Sequence, residues 1–276
     1  MNKDYIGNWL NEPQQDTYTQ YKFKLIKITN KSNKTTDLIK DLQKELLYAY
    51  REKDFLNEQV FTRSKEDIIK YVSGMIPDDQ CNINDNVRTG DFGEVLVKAI
   101  IMYFYKYIAY NKLKFKFNKN RSLFATDLVA FDDILNPESI YYYEIKTRKS
   151  LNKEDGSYIT EIAYNGLIKD EDNEVQPVLD FMAQRFYENG EKELSAKYFN
   201  LALNKHLVKE NYEIFILTND ISEQKITNIC NALQALEIKI NPLSLNLVLV
   251  PELYEIRDEV WKSISNRAIE ISESLK

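Results

Sequence analysis

The chain has 276 residues, with 37 basic and 43 acidic side chains, a formal net charge of −6 and a single histidine, His206. Zinc sites and Ser-His-Asp or Cys-His relays draw on histidines and cysteines in groups. One imidazole and two cysteines, Cys81 and Cys230, therefore exclude a four-cysteine or three-histidine zinc site and any two-histidine mechanism within one chain. The net acidity argues at first against a nucleic-acid partner, whose phosphates reward Lys and Arg.

At 43% hydrophobic and 12% aromatic residues, a chain of this length buries about 75% of its unfolded surface and forms a globular core. The longest apolar stretch, Val95 to Tyr110, is about one fifth shorter than a membrane span and contains Lys98 and Lys106, so no membrane partner is expected. No apolar leader follows Met1, and two cysteines make no disulfide framework, so a reduced, cytoplasmic protein is expected.

In chain order, residues 21–28 read as a weak strand. From Thr36, Leu38, Leu42 and Leu46 share one helical stripe with Ile39 and Leu47 beside it. Ser64 can cap the amide of Asp67 and open a second helix that ends near Gly74. Residues 76–90, rich in Asp and Asn, read as a loop closing on Gly90. A helix over 89–110, apolar nearly all round, belongs inside the protein. Three strand-like runs follow, 113–118, 124–131 and 140–147, each aromatic or β-branched and bounded by Asn, Asp or Pro. After Lys153 comes an acidic, mobile stretch through Asp170-Glu171-Asp172, then helices over 175–188 and 191–203. The remaining elements are a strand over 212–218, a helix capped by Ser222, a strand over 245–250 and a last helix from Glu252.

This order predicts an α/β protein with a central mixed sheet flanked by helices and with helical N- and C-terminal additions. Residues 1–86 form a mixed strand and helix region packed on the core, and 87–276 form that core with its C-terminal extension.

The informative fact is the presence of acids inside apolar strands. Asp127 interrupts Phe124-Ala125-Thr126-Asp127-Leu128-Val129-Ala130-Phe131, whose two faces are both largely apolar. An ionised carboxylate there costs several kcal/mol unless a cation, donors or solvent meet it. Period two puts Tyr142, Glu144 and Lys146 on one face of the next strand and Tyr143 and Ile145 on the other. If the two strands pair antiparallel, Asp127 and Glu144 approach closely, and a hard divalent cation, Mg2+ or Mn2+, would reverse their repulsion. Lys146 points to the same place and could orient a water or stabilise developing charge.

Asp127, sixteen intervening residues, then Glu144-Ile145-Lys146 resembles the signature of the PD-(D/E)XK nuclease superfamily, whose core runs helix, three antiparallel strands, helix, strand. Thr126 stands where the name-giving proline often lies, a common departure. The resemblance implies a metal-dependent nuclease acting on DNA, with Glu94, Asp127, Glu144 and the backbone carbonyl of Ile145 as metal ligands and Lys146 as the catalytic lysine. Within that superfamily, Gly90-Asp91-Phe92-Gly93-Glu94 at the start of a wholly apolar helix, together with the general layout, resembles the HamA family. Those proteins are nuclease subunits of the bacterial Hachiman anti-phage system and work with a helicase partner.

Plainer readings stand beside these. Glu94 could make an exposed pair with Lys98, and Asp127 could cap a bulge or pair with a buried arginine. Glu-x-Lys also occurs at Glu223-Gln224-Lys225 and at Glu237-Ile238-Lys239, the latter with Asp220 at the same separation as Asp127 from Glu144. A helical pattern, rather than a strand and turn, lies between Asp220 and Glu237. A sequence-specific restriction endonuclease and an inactive nucleic-acid-binding subunit are the rival functions.

The charge is uneven. Lys112, Lys114, Lys116, Lys119 and Arg121 fall in an acid-free stretch, the first three alternating with Leu113, Phe115 and Phe117. They suit a phosphate-binding face or an edge strand guarded by lysines. Arg148 and Lys149 extend the charge past Lys146. Residues 98–149 hold ten basic side chains against five acidic, whereas 151–196 hold eleven acidic against four basic. The average of −6 thus hides a cationic core and an acidic segment, and the objection to a nucleic-acid partner lapses. Five phosphate contacts would give log affinity a slope of about −4.5 against log salt. There is no glycine-rich phosphate loop among the seven glycines, so the chain is not a P-loop ATPase. From sequence alone, Lys146→Ala is expected to abolish cleavage and leave thermal stability nearly unchanged.

Overall fold

The computed structural model describes residues 4–17, 21–78, 82–111, 113, 126–169 and 177–275. Its frame is one seven-stranded mixed sheet in the order β1-β2-β7-β6-β5-β4-β3. The strands are β1 (Gln14–Gln15), β2 (Lys24–Thr29), β3 (Ile108–Asn111), β4 (Leu128–Phe131), β5 (Ser139–Arg148), β6 (Lys209–Thr218) and β7 (Leu243–Leu249). β3, β4 and β5 form an antiparallel meander, β5, β6, β7 and β2 run parallel, and β1 closes the edge antiparallel to β2.

Helices cover both faces. Against one lie α1 (Asp4–Trp9), α2 (Thr36–Tyr50), α4 (Lys65–Met75), α5 (Asn82–Ile100), α10 (Leu253–Lys262) and α11 (Ile264–Ser274), with the short α3 (Lys53–Phe55) running into a π-helical turn, Leu56–Val60. Against the other lie α6 (Ile159–Leu167), α7 (Pro177–Glu188), α8 (Lys192–Leu203) and α9 (Glu223–Ala235). A sheet covered on both faces has strands that are buried over most of their length, as in β7 and in β6 from Ile214 onward. Alternation divides β5 as expected: Tyr143 and Ile145 join the core under α5, Tyr142 the core under α6. Among the described residues no helix is long and apolar enough to cross a membrane.

Local chemistry explains the helix starts. Thr35 accepts a hydrogen bond from the Leu38 amide at 3.1 Å, and Leu38, Leu42 and Leu46 are buried in one stripe. Ser64 accepts from the Asp67 amide at 3.2 Å. Ser222 precedes α9 as expected, but its side chain makes no capping hydrogen bond.

Several expectations are corrected. α5 starts at Asn82 inside the expected loop, and regular helix stops at Ile100. A π-helical turn, Ile101–Tyr105, follows, Lys106 takes a left-handed conformation (φ 59°), and Ile108–Asn111 is strand. A continuous apolar run looks alike as buried helix or buried strand, which is why 89–110 reads as one helix. Strand pairing in the second run begins only at Leu128, so Asp127 sits at the mouth of β4 and not in its middle. α6 occupies a stretch expected to be mobile, and the last helix is two, α10 and α11. The expected strand over 113–118, residues 124 and 125 of the next strand and Asp170-Glu171-Asp172 fall outside the described residues, apart from Leu113, which is buried. The resulting order, α5-β3-β4-β5-α6 and onward to β6, is the helix, three antiparallel strands, helix, strand sequence that the resemblance implied.

Two glycines of α5 make contrasting tests. A Cβ on Gly93 would overlap the Thr147 hydroxyl and press on Ile145 of β5, whereas one on Gly90 would meet nothing within 4 Å. Gly93→Ala is therefore expected to cost about 1 to 3 kcal/mol by overpacking. Gly90→Ala should gain about 0.5 to 1 kcal/mol from helix propensity. Urea denaturation midpoints moving in the same direction would contradict this packing.

Glu213, inside the sheet on β6, supplies a pH test. Burial pushes its carboxyl up to about 7 from an ordinary 4.5, against hydrogen bonds from Asn246 and Ser244 and the charge of Lys24, which pull it down. The folded chain thus holds this proton more tightly than the unfolded chain. The penalty is absent below about pH 4.5, grows as pH rises, and levels off above about 7 at roughly 3 kcal/mol. The stability difference between Glu213→Gln and the parent should grow across that window, and a flat difference would refute it.

Candidate metal centre on the central strand

β5 is the strand at which the antiparallel meander meets the parallel half of the sheet, and it carries the acidic and basic residues singled out above. Glu144 is 8% exposed, and the Lys146 ammonium donates to its Oε1 at 2.5 Å. The two side chains lie on the α6 face, one β repeat apart. Gly166 of α6 makes room for them, since a Cβ there would come within 2.5 Å of the Glu144 carboxylate. A glycine inside a helix costs about 1 kcal/mol against alanine, which signals close approach; sequence reading passed over this one because it missed α6.

Asp127 is tied to the same strand. Its amide donates to the Tyr143 carbonyl at 3.2 Å and its Oδ2 accepts from the Ile145 amide at 2.9 Å. The carboxylate thus lies against the backbone of β5 beside Glu144, as the pairing argument expects, and the aspartate caps the opening where β4 and β5 diverge.

Glu94 is placed differently. It is 7% exposed on α5, the helix that covers the other face of β5 through Gly93. With Glu94 buried and Lys98 half-buried, a pair between the two would not be an exposed one. Tyr50 donates to Asp91 one turn earlier, and both Asp91 and Glu94 help to hold the Tyr50 hydroxyl well above its ordinary pKa, after burial itself. Among the described residues, no three His, Cys, Asp or Glu side chains stand together as a ready metal cage. Asp127 and Glu144 are instead each engaged by a donor of β5.

The donor chemistry nevertheless fits a hard divalent cation. Asp127, Glu144 and the Ile145 carbonyl offer only oxygen along one short stretch of backbone, and oxygen sets suit Mg2+ or Mn2+.

The basic residues divide. Arg148 pairs with Glu154 at 3.2 Å, and Lys149 lines a shallow hollow with Ser150, Asp220 and Lys225 just beyond β5. Lys112, Lys114, Lys116, Lys119 and Arg121 lie outside the described residues. Asp220, the acid of the competing Glu-x-Lys string, has structural work. It accepts from Lys225 at 2.7 Å, from Ser150 at 3.2 Å and from the Leu151 amide at 3.3 Å. Despite some desolvation, these bonds hold its carboxyl below the ordinary value. Glu237 and Lys239 fall in the irregular stretch after α9. His206 is exposed at a helical turn.

The class is that of a mixed α/β protein whose central strand buries an acid paired with a half-buried lysine, with a second acid bonded to the peptide between them. The HamA family model matches residues 3–264 of the 276, and the chain belongs to the HamA family. HamA is a component of the Hachiman system, so the chain has a role in anti-phage defence alongside other subunits. No curated protein matches it.

The ion pair corrects one expectation from sequence. Removing Lys146 leaves Glu144 charged and buried, so Lys146→Met is expected to lower stability by about 1 to 3 kcal/mol. Adding Glu144→Gln should restore most of that loss. Additive effects in this double-mutant cycle would show that the pair is not coupled.

Proposed function

We propose that the chain is a metal-dependent nuclease that hydrolyses phosphodiester bonds in DNA, and that it acts as an anti-phage effector with a helicase partner. The observation that carries this reading is the geometry along β5: Lys146 on the Glu144 carboxylate at 2.5 Å, and Asp127 on the Ile145 amide at 2.9 Å. A lysine and an acid thus share one strand, and a second acid, at the mouth of β4, is bonded to the peptide between them. Structural ion pairs are seldom placed in a central strand, where desolvation takes back most of their gain, so a buried acid paired with a half-buried lysine at such a position favours a functional role.

In the reaction, a water oxygen attacks phosphorus, the bond from phosphorus to the departing strand oxygen breaks, and that oxygen takes a proton. Lys146 positions the water and counters the charge that builds on the phosphoryl oxygens. Glu144 fixes the lysine, and Asp127 fixes the peptide on which both stand. Asp127, Glu144 and the Ile145 carbonyl would hold Mg2+ or Mn2+, which would supply Lewis-acid polarisation of the phosphate, whereas Glu94 stands on the helix across the sheet from them. Arg148, Lys149 and the basic stretch from Lys112 to Arg121 would guide the DNA backbone. The missing phosphate loop leaves ATP-driven unwinding to the helicase partner.

The test is cleavage of linear, circular and single-stranded DNA by the purified chain with Mg2+ or Mn2+, alone and together with the proposed helicase partner. Degradation that falls about a hundredfold or more in Lys146→Ala supports the reading. Uncut DNA under every combination, or full activity in the variant, overturns it. Discrete fragments would identify a restriction endonuclease. Absence of Mg2+ or Mn2+ heat in calorimetry, with DNA binding indifferent to Asp127→Asn, would identify a binding subunit.

A further inference from the structure

On the face of β5 opposite Glu144 and Lys146, a cavity of about 290 Å³ opens at the starts of the parallel strands. One wall is aromatic. The Tyr107 ring stacks on Tyr141 at 4.3 Å and 24°, their hydroxyls share a 2.7 Å hydrogen bond, and Tyr105 and Tyr143 extend the stack on either side. Tyr105 and Tyr107 reach this wall through the π-helical turn and the left-handed Lys106 that end α5. Both are departures that cluster at functional sites. The Tyr105 hydroxyl is buried with no hydrogen-bond partner among the described residues.

The floor is acidic. Glu213 lies deep between strands yet keeps part of its surface on the cavity, and Asn246 donates to its Oε2 at 2.7 Å. Its carboxyl, pushed up to about 7, is present near neutral pH both as an acid and as a carboxylate. The rim is basic, with Lys24 and Lys209 exposed at the first residues of β2 and β6. A flat apolar wall, a floor that can accept and donate hydrogen bonds, and a cationic mouth match a planar nitrogenous ring carrying a phosphate. The volume is at the lower end for ligand pockets, which suits a single base and sugar with the phosphate at the mouth.

We propose that this cavity binds one nucleotide whose base carries an exocyclic amine. The base lies on the Tyr107 and Tyr141 wall, the amine donates to Glu213, and the phosphate meets Lys24 and Lys209. Stacking tolerates any base, whereas the carboxyl selects. A neutral acid fits the amine and ring nitrogen of adenine or cytosine, a carboxylate fits the two N–H groups of guanine, and uracil or thymine offers no amine. The ligand is a free nucleotide or one nucleotide of a single strand. The proposal goes beyond the nuclease reading and does not depend on it, because the cavity and the acid-lysine pair occupy opposite faces of β5.

The test is calorimetry on the full chain in EDTA, which keeps the outcome separate from metal binding and cleavage. The probes are AMP, CMP, GMP, UMP, inorganic phosphate, and short oligo-dA and oligo-dT. At least one amine-bearing nucleotide should bind about tenfold or more tightly than UMP and phosphate. Glu213→Leu should erase that preference, and Lys24→Ala with Lys209→Ala should weaken the nucleotide but not its nucleoside. Tighter binding of oligo-dA than AMP assigns the site to a strand, and the reverse assigns it to the free nucleotide. If Glu213→Leu fails to fold, the two exposed lysine variants carry the test. Binding of no nucleotide at millimolar concentration, or equal binding of all bases, overturns the proposal.

Discussion

An ammonium and a carboxylate 2.5 Å apart in a strand covered on both faces set the terms for much of this structure. Burying either ion alone costs several kcal/mol, and together they recover that cost only if their geometry is held. The surroundings hold it. Gly166 lets α6 close over Glu144 without displacing it, Asp127 clamps the peptide between the two residues, and Gly93 lets α5 lie flat on the reverse side. Replacing the pair with aliphatic side chains would be the easier solution for stability, which makes its presence informative about function.

The alternation of β5 gives one strand two unlike surfaces. Residues 142, 144 and 146 face α6, and residues 141, 143 and 145 face the opposite layer. Polar groups in the neighbouring strands follow the second set: Glu213, Ser244 and Asn246 line up beside Tyr143 across β6 and β7. The sheet thus carries two polar inclusions back to back, each screened from the other by a single thickness of backbone.

Much of this was legible. The α2 and α4 starts were read from a side-chain cap and an apolar stripe, both local and both encoded within a few residues. The faces of β5 followed from period two alone. What escaped depends on context. The run from Ile101 to Asn111 is apolar enough for either regular structure, and the break at Lys106 rests on a backbone angle that no composition announces. α6 is short, nine residues, and stands among acidic stretches that mask it. Glu94 was readable as a buried acid's position on a helix, but the face of the sheet to which that helix belongs emerges only from packing. The tyrosine-walled cavity assembles residues from five strands and a π-helical turn, so no window of sequence contains it.

The place of β7 has a kinetic consequence. It lies between β2 and β6, with residues 24–29 paired in parallel to residues 244–249. Until β7 exists, β2 has no neighbour on that side, and the β1-β2 hairpin waits through most of synthesis. Loop-closure entropy must be met before such distant pairings give anything back, so this sheet is slow to complete. The half of the sheet from β3 to β6 can assemble earlier, but the wall of the nucleotide-sized cavity contributed by β2 and β7 cannot. In a growing cell, the cavity is therefore a feature only of finished chains, and any ligand that fills it would distinguish a fully closed molecule from a nascent one.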